Sequence, residues 1–206
     1  MSFFGDGALP LGMVFFAGLV FGVLRRKSGH RAAARGYPDL ATRLGLTYKP
    51  SSYRSGVGSL VGTYQGFVVI VDPDEQRRIR VRFEGAPAVD LRTYERDSGP
   101  PKTMRTVFTR DKRFDGFFKT RWAAERERAM LESLEEPGTL VAPFRRLRQL
   151  KELSVTSVGV SAVFDFGNPP YIPVAIIEEL LPALVALAAL FEEPPFEEAQ
   201  GEAAGT

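Results

Sequence analysis

The hydrophobic pattern divides the chain into an uncharged N-terminal run and a longer stretch of mixed helical and strand periods. The run from Ala8 to Leu24, ALPLGMVFFAGLVFGVL, has no charged residue. As a helix it would extend about 26 Å, against a hydrocarbon thickness of about 30 Å. After a polar segment, YPDLATRLGL has the spacing of a short helix opened by Pro38 and Asp39 and ended near Gly45. SLVGTYQGFVVIVD predicts two strands joined around Gln65 and Gly66, with Val68 to Val71 buried on both faces or nearly so, and Asp72-Pro73-Asp74 as the stop.

The clearest period of two is RIRVRF. There Arg78, Arg80 and Arg82 alternate with Ile79, Val81 and Phe83, so a strand buries the apolar set and aligns three guanidinium groups on its other face. VDLRTYER and TMRTVFT predict further strands. From about Asp111 the spacing turns helical, with Phe114, Phe117 and Phe118 on one face and continuation through WAAERERAMLESL to a break at Pro137-Gly138. A helix over LVAPFRRLRQLKEL, one or two strands over SVTSVGVSAVFDF and an apolar helix over IPVAIIEELLPALVALAALF complete the pattern. Glu178, Glu179 and Pro182 argue against a membrane span in that last helix, which is expected to pack across the sheet.

The sequence therefore predicts an α+β protein: an N-terminal transmembrane helix followed by one domain with a mainly antiparallel sheet covered by helices. The expected divisions are a transmembrane anchor at 1–24, a basic juxtamembrane linker at 25–36, the soluble α+β domain at 37–191 and a disordered acidic tail at 192–206. Arg25, Arg26 and Lys27 are expected at the membrane interface. Only Asp6 precedes the apolar run, whereas five basic residues follow it by Arg35. The positive-inside rule then sets the N-terminus outside and the domain in the cytoplasm, as a single-pass protein of the inner membrane. A signal peptide is the competing reading, disfavoured because no Lys or Arg precedes the run and RRKSGHR stands where a small-residue cleavage site belongs.

Composition agrees with one folded domain in 206 residues, 44% of them hydrophobic and 25% charged. Cysteine is absent, which excludes disulfides, thiolate metal sites and a cysteine nucleophile, and His30 is the one histidine. The formal charge of +2 conceals an asymmetry. Residues 25–131 carry 23 Lys/Arg against 12 Asp/Glu, and residues 132–206 carry 4 against 12. Anionic lipid beside the anchor and pairing between the two halves both fit this distribution.

Three short motifs carry a resemblance: Leu44-Gly45-Leu46; Gly62, Tyr64 and Gly66 before a β run; and Thr109, Asp111, Phe114, Asp115 and Phe118. In this order, with a late apolar helix, the chain resembles a family of uncharacterised N-terminally anchored bacterial proteins that carry a T-G-D-x-x-F-D-x-x-F-like segment. Arg110 stands where that pattern has glycine. The resemblance implies an α+β domain over most of residues 37–191 and no activity.

Candidate chemistry is sparse. Asp111 and Asp115, four apart, suit either a carboxylate pair or a helix cap with an acidic first turn, and capping is the simpler account. The row Arg78, Arg80, Arg82, joined by Arg92, Arg96 and Tyr94 if their strand is adjacent, suits phosphate binding or a solvated face balanced by Glu84, Asp90 and Glu95. GVGSLVG lacks the strand-to-helix context and the GK[ST] of a phosphate loop, and Asp165-Phe166-Gly167 lacks the other kinase motifs. No cofactor, metal or nucleic-acid partner is expected. The expected partners are the bilayer through residues 8–24, an anionic lipid or protein, and a second copy of the chain. Two function classes remain: a noncatalytic membrane-tethered interaction module, and a membrane-surface enzyme or small-ligand-binding domain.

Overall fold

The computed structural model describes residues 36–192 apart from 53–55, 75, 86, 88, 95–101, 122–124 and 168–170. The expected anchor at 8–24, nearly all of the linker and the tail beyond Glu192 lie outside the described residues.

Nine strands form one sheet: β1 (Thr47–Lys49), β2 (Ser59–Tyr64), β3 (Phe67–Asp72), β4 (Arg78–Arg82), β5 (Asp90–Arg92), β6 (Arg105–Thr106), β7 (Lys119–Thr120), β8 (Leu150–Thr156) and β9 (Gly159–Phe164). Their order is β1-β2-β3-β4-β9-β8-β5-β7-β6, and every pairing is antiparallel. The helices are α1 (36–44), α2 (Lys112–Asp115), α3 (Glu125–Ser133), α4 (Gly138–Arg145) and α5 (Val174–Phe191). The α+β class with a large antiparallel sheet is thus established.

Local chemistry sets the early elements. Leu46 N–H donates to Ala41 O at 2.8 Å and Gly45 N–H to Thr42 O at 3.3 Å, with Gly45 at φ 68°, which is a Schellman ending for α1. Gln65 (φ 51°) and Gly66 (φ 89°) join β2 to β3 in a two-residue hairpin of type I′ geometry, with Tyr64 opposite Phe67. Val57, in the glycine-rich approach to β2, donates its N–H to Asp74 Oδ2 at 2.6 Å and accepts from the Tyr48 hydroxyl at 3.0 Å. That segment is a structural tie leading straight into a strand.

One sheet face carries the core. Val69, Val71, Ile79, Val81, Leu91, Leu153, Val155, Val160 and Ala162 are buried there, beneath Ile177, Leu180, Leu181, Leu184, Leu187 and Ala188 of α5. Each Val, Leu or Ile among them contributes about 1.5–3 kcal/mol by leaving water. By composition and length α5 would suffice for a membrane span. Here its broad apolar side lies on β4, β9 and α4, while Glu178, Glu179, Pro182, Ala186 and Ala189 face outward. Tyr37 of α1 is buried and its hydroxyl donates to the carbonyl of Ile172, tying α1 to the entry of α5.

Four expectations are corrected. Val68 to Val71 is not buried on both faces: Val68 is 40% exposed and Ile70 half-buried, because nothing among the described residues covers the second face of β3. The helix expected from Asp111 through Leu134 is divided. The single-turn α2 ends at Gly116, and Lys119 and Thr120 enter the sheet between β5 and β6 before α3 begins. The helix over LVAPFRRLRQLKEL stops at Arg145, and Leu150 to Leu153 belong to β8. In both segments strand pairing overrides a plausible helical period. Lastly, VDLRTYER and TMRTVFT contribute strands of three and two residues, much shorter than their alternation suggests.

Candidate functional site: the open face of the sheet

The alternation of β4 works as its sequence implies. Ile79 and Val81 enter the core, and Arg78, Arg80 and Arg82 line the opposite face. Neighbours two apart on a strand are separated by about 7 Å, so full charges there repel by only about 0.6 kcal/mol in water. Arg82 is exposed while Arg78 and Arg80 are half-buried, so the repulsion within the row exceeds this bulk-water figure, and an anion beside the row would offset it.

Register determines what stands beside the row. Arg80 lies opposite Ser161 of β9, Ser161 opposite Ser154 of β8, and Ser154 opposite Arg92 of β5. Directly opposed residues of an antiparallel pair share a face. Arg80 and Arg92 accordingly border a trough floored by two serines and about 14 Å across, three strand spacings wide. Lys119 of β7 continues the line beyond Arg92. Ser154 is only 5% exposed although it belongs to the open face, sunk between longer neighbours. On the β4 side the trough contains a cavity of about 220 Å³ lined by Arg78, Arg80, Arg82, Glu152, Ser154 and Ser161 among others.

Acidic groups balance part of this charge. Asp72 is in register with Arg78, Arg92 Nε donates to Asp90 Oδ1 at 2.7 Å, and Glu152 is the carboxylate in the cavity wall. The Asp90 bond and charge hold the Arg92 guanidinium above its ordinary range, so it stays a cation. Arg80 donates to the side-chain oxygen of Gln76. Arg78 Nε is buried without a hydrogen-bond partner among the described residues. A buried donor left unmade costs about 1–3 kcal/mol.

Of the basic residues singled out in the sequence, Arg78, Arg80 and Arg82 come together and share a face with Arg92. Arg92 is not on an adjacent strand, however: β9 and β8 intervene, because the β8–β9 hairpin inserts between β4 and β5. Arg96, Arg25, Arg26 and Lys27 lie outside the described residues. Tyr94 instead lines a separate groove with Arg145 and Arg148. Ser154, Ser161 and Lys119 were not identified from sequence. Their polar positions within SVTSVGVSAVF and FFKT were visible, but their partner strands were not.

Asp111 and Asp115 do not form an acid–base pair. Asp111 Oδ1 accepts from the amides of Arg113 (2.7 Å) and Phe114 (3.3 Å), and its Oδ2 accepts from the amide of Gly138 (2.8 Å). Asp115 Oδ1 accepts from the amide and hydroxyl of Thr109, both at 2.8 Å. The amides of Arg113, Gly138 and Phe114 hold the Asp111 carboxyl below its usual range. Phe114 and Phe118 are fully buried under this network. Arg110, at the position where the resembling family has glycine, has φ 71°, the left-handed conformation that glycine adopts most readily. Among the described residues no three His, Cys, Asp or Glu side chains converge as metal ligands do.

These features define a class by architecture: a one-sheet α+β domain with one face under helices and the other polar, open and rich in arginine. Among solved structures the chain is similar to the crystal structure of the mycobacterial trehalose monomycolate transport factor A, TtfA. The likeness covers 80% of this chain and 98% of that one, with a TM-score of 0.50 and 11% identity, so it concerns the fold alone. No protein-family model matches the sequence, and no curated protein matches it.

Proposed function

We propose that this chain is a noncatalytic interaction module, tethered to the inner membrane through residues 8–24 with its domain in the cytoplasm, whose open sheet face engages anionic lipid headgroups. The observation that carries the reading is the serine-floored trough between Arg80 and Arg92, with Arg78 and Arg82 beside it. Arginine offers forked donors suited to phosphate, serine hydroxyls supply further hydrogen bonds, and a tether would keep the face near a surface of negative potential. Each basic residue at such a surface contributes about 1 kcal/mol.

Residues 36–206 contain the whole described core and suit a liposome co-sedimentation. Binding is expected to vesicles containing phosphatidylglycerol, to weaken with salt, and to drop at least tenfold in Arg78→Ala/Arg80→Ala/Arg82→Ala. Equal binding to neutral vesicles, or an unaltered triple variant, would remove the proposal. A transport role of the kind named for the structurally similar factor is the second reading, supported by the shared fold.

A further inference from the structure

Phe108 is 75% exposed, the largest apolar side chain so displayed among the described residues. A single exposed apolar residue is ordinary on a protein surface. This one is set apart by a backbone that holds it outward. Val107 and Thr109, on either side, are buried, and the amide and hydroxyl of Thr109 both donate to Asp115 Oδ1 at 2.8 Å. Arg110 follows in left-handed backbone at φ 71°, just before the Asp111 cap of α2. With both neighbours fixed inward, Phe108 cannot fold down onto the core, and its ring stays in water until a partner covers it.

The surroundings are cationic. Arg105, Arg110 and Lys112 are all exposed within four residues of Phe108. The two carboxylates of the same segment are turned to protein donors, Asp111 to the amides of α2 and Gly138, Asp115 to Thr109. Phe108 also borders the open sheet face. Lys119 Nζ donates to Thr106 Oγ1 at 3.0 Å across the register that pairs the two residues, and Lys119 is itself opposite Arg92. Thr106 therefore shares the side of Arg92, and so does Phe108, two residues further on, with buried Val107 between them. Two strand spacings, about 10 Å, separate β5 from β6.

We infer that Phe108 inserts into the interface of an anionic bilayer, its ring among the upper acyl carbons and Arg105, Arg110 and Lys112 on the headgroup phosphates. The inference rests on the headgroup reading of the open face and adds an apolar anchor at its border. Lipid is the occupant because charge here surrounds one apolar ring. The cores of protein interfaces are contiguous and depleted of charge, whereas a bilayer interface accepts a lone aromatic ring with cations about it.

The chain has no cysteine, so Phe108→Cys carries a single nitroxide spin label in the full-length protein. The test reconstitutes it into phosphatidylcholine vesicles with and without phosphatidylglycerol, and measures collision of the label with oxygen and with a water-soluble nickel chelate. With phosphatidylglycerol present, nickel collisions are expected to fall at least about threefold and oxygen collisions to rise; without it the label should stay aqueous. Arg105→Gln/Lys112→Gln should restore most of the nickel access at position 108. A label at Ala186→Cys, on the outward side of α5, should stay aqueous in both vesicles. An aqueous label at 108 in both, shielding that ignores phosphatidylglycerol, equal shielding at 186, or spin–spin broadening that reports a second copy at the same spot would overturn the inference. Vesicle sedimentation that still depends on the arginine row, beside an aqueous label at 108, would overturn it while leaving the headgroup proposal standing.

Discussion

Asp111 accepts the amide of Gly138 at 2.8 Å across 27 residues of chain, with the carboxylate that also caps α2. One side chain therefore satisfies the start of two helices. A Cβ at position 138 would stand 2.3 Å from Asp111 Oδ2, so the contact requires glycine. Asp111→Ala is expected to lower stability by roughly 1–2 kcal/mol, the usual worth of a lost cap. Gly138→Ala should act in the same direction. Since both break one contact, the double variant should lose clearly less than the sum of the single losses in urea unfolding.

The same carboxylate gives a pH dependence. Its folded-state pKa is held below the ordinary value of 3.8 by amide hydrogen bonds. A group depressed in the folded state contributes stability that is complete above the unfolded pKa and is lost as pH falls through the folded one. The stability difference between the protein and Asp111→Asn should accordingly be flat above about pH 5 and shrink below pH 4. A difference that instead grew on acidification would contradict the assignment.

Arg110 occupies left-handed backbone at φ 71°. Arg110→Gly removes the side-chain clash but frees the unfolded chain, and these effects are similar in size. The change is expected to hold stability within about 1 kcal/mol, on the stabilising side. Arg110→Val, with a branched side chain in that region, should lower the melting temperature.

Tyr37→Phe removes the donor to the buried Ile172 carbonyl while preserving the ring. The unsatisfied acceptor should cost about 1–3 kcal/mol. Hydrogen exchange should localise the loss to α1 and the start of α5, since this bond joins them.

Within α5, Leu184 is fully buried and Ala186 faces outward. Leu184→Ala should destabilise by about 2–5 kcal/mol, and Ala186→Lys should change the unfolding midpoint little. A large cost at both positions would place the outer side of α5 against something other than water.

The legible parts of the fold were those governed by neighbours in sequence. The YPDLATRLGL helix with its glycine ending, the β2–β3 hairpin at Gln65-Gly66, the alternation of RIRVRF and the capping role of Asp111 all depend on contacts within a few residues. Glu178, Glu179 and Pro182 likewise indicated that the apolar late helix packs on the sheet. The misread parts were segments whose state depends on a distant strand. Lys119-Thr120 read as helix because Phe114, Phe117 and Phe118 share a helical face, yet β5 and β6 claim them. Gln149 to Leu153 continued an acceptable helical pattern, yet β9 and β5 pair with β8.

The candidate site divides in the same way. Sequence alone determined that Arg78, Arg80 and Arg82 share a strand face, because a period of two is a property of the backbone. Only the tertiary structure decided that Ser161 and Ser154 lie between Arg80 and Arg92, and that Tyr94 lines another groove together with Arg148. Strand order and register are set by which buried faces fit together across the whole sheet, and that choice is made by packing among residues 60 to 100 positions apart.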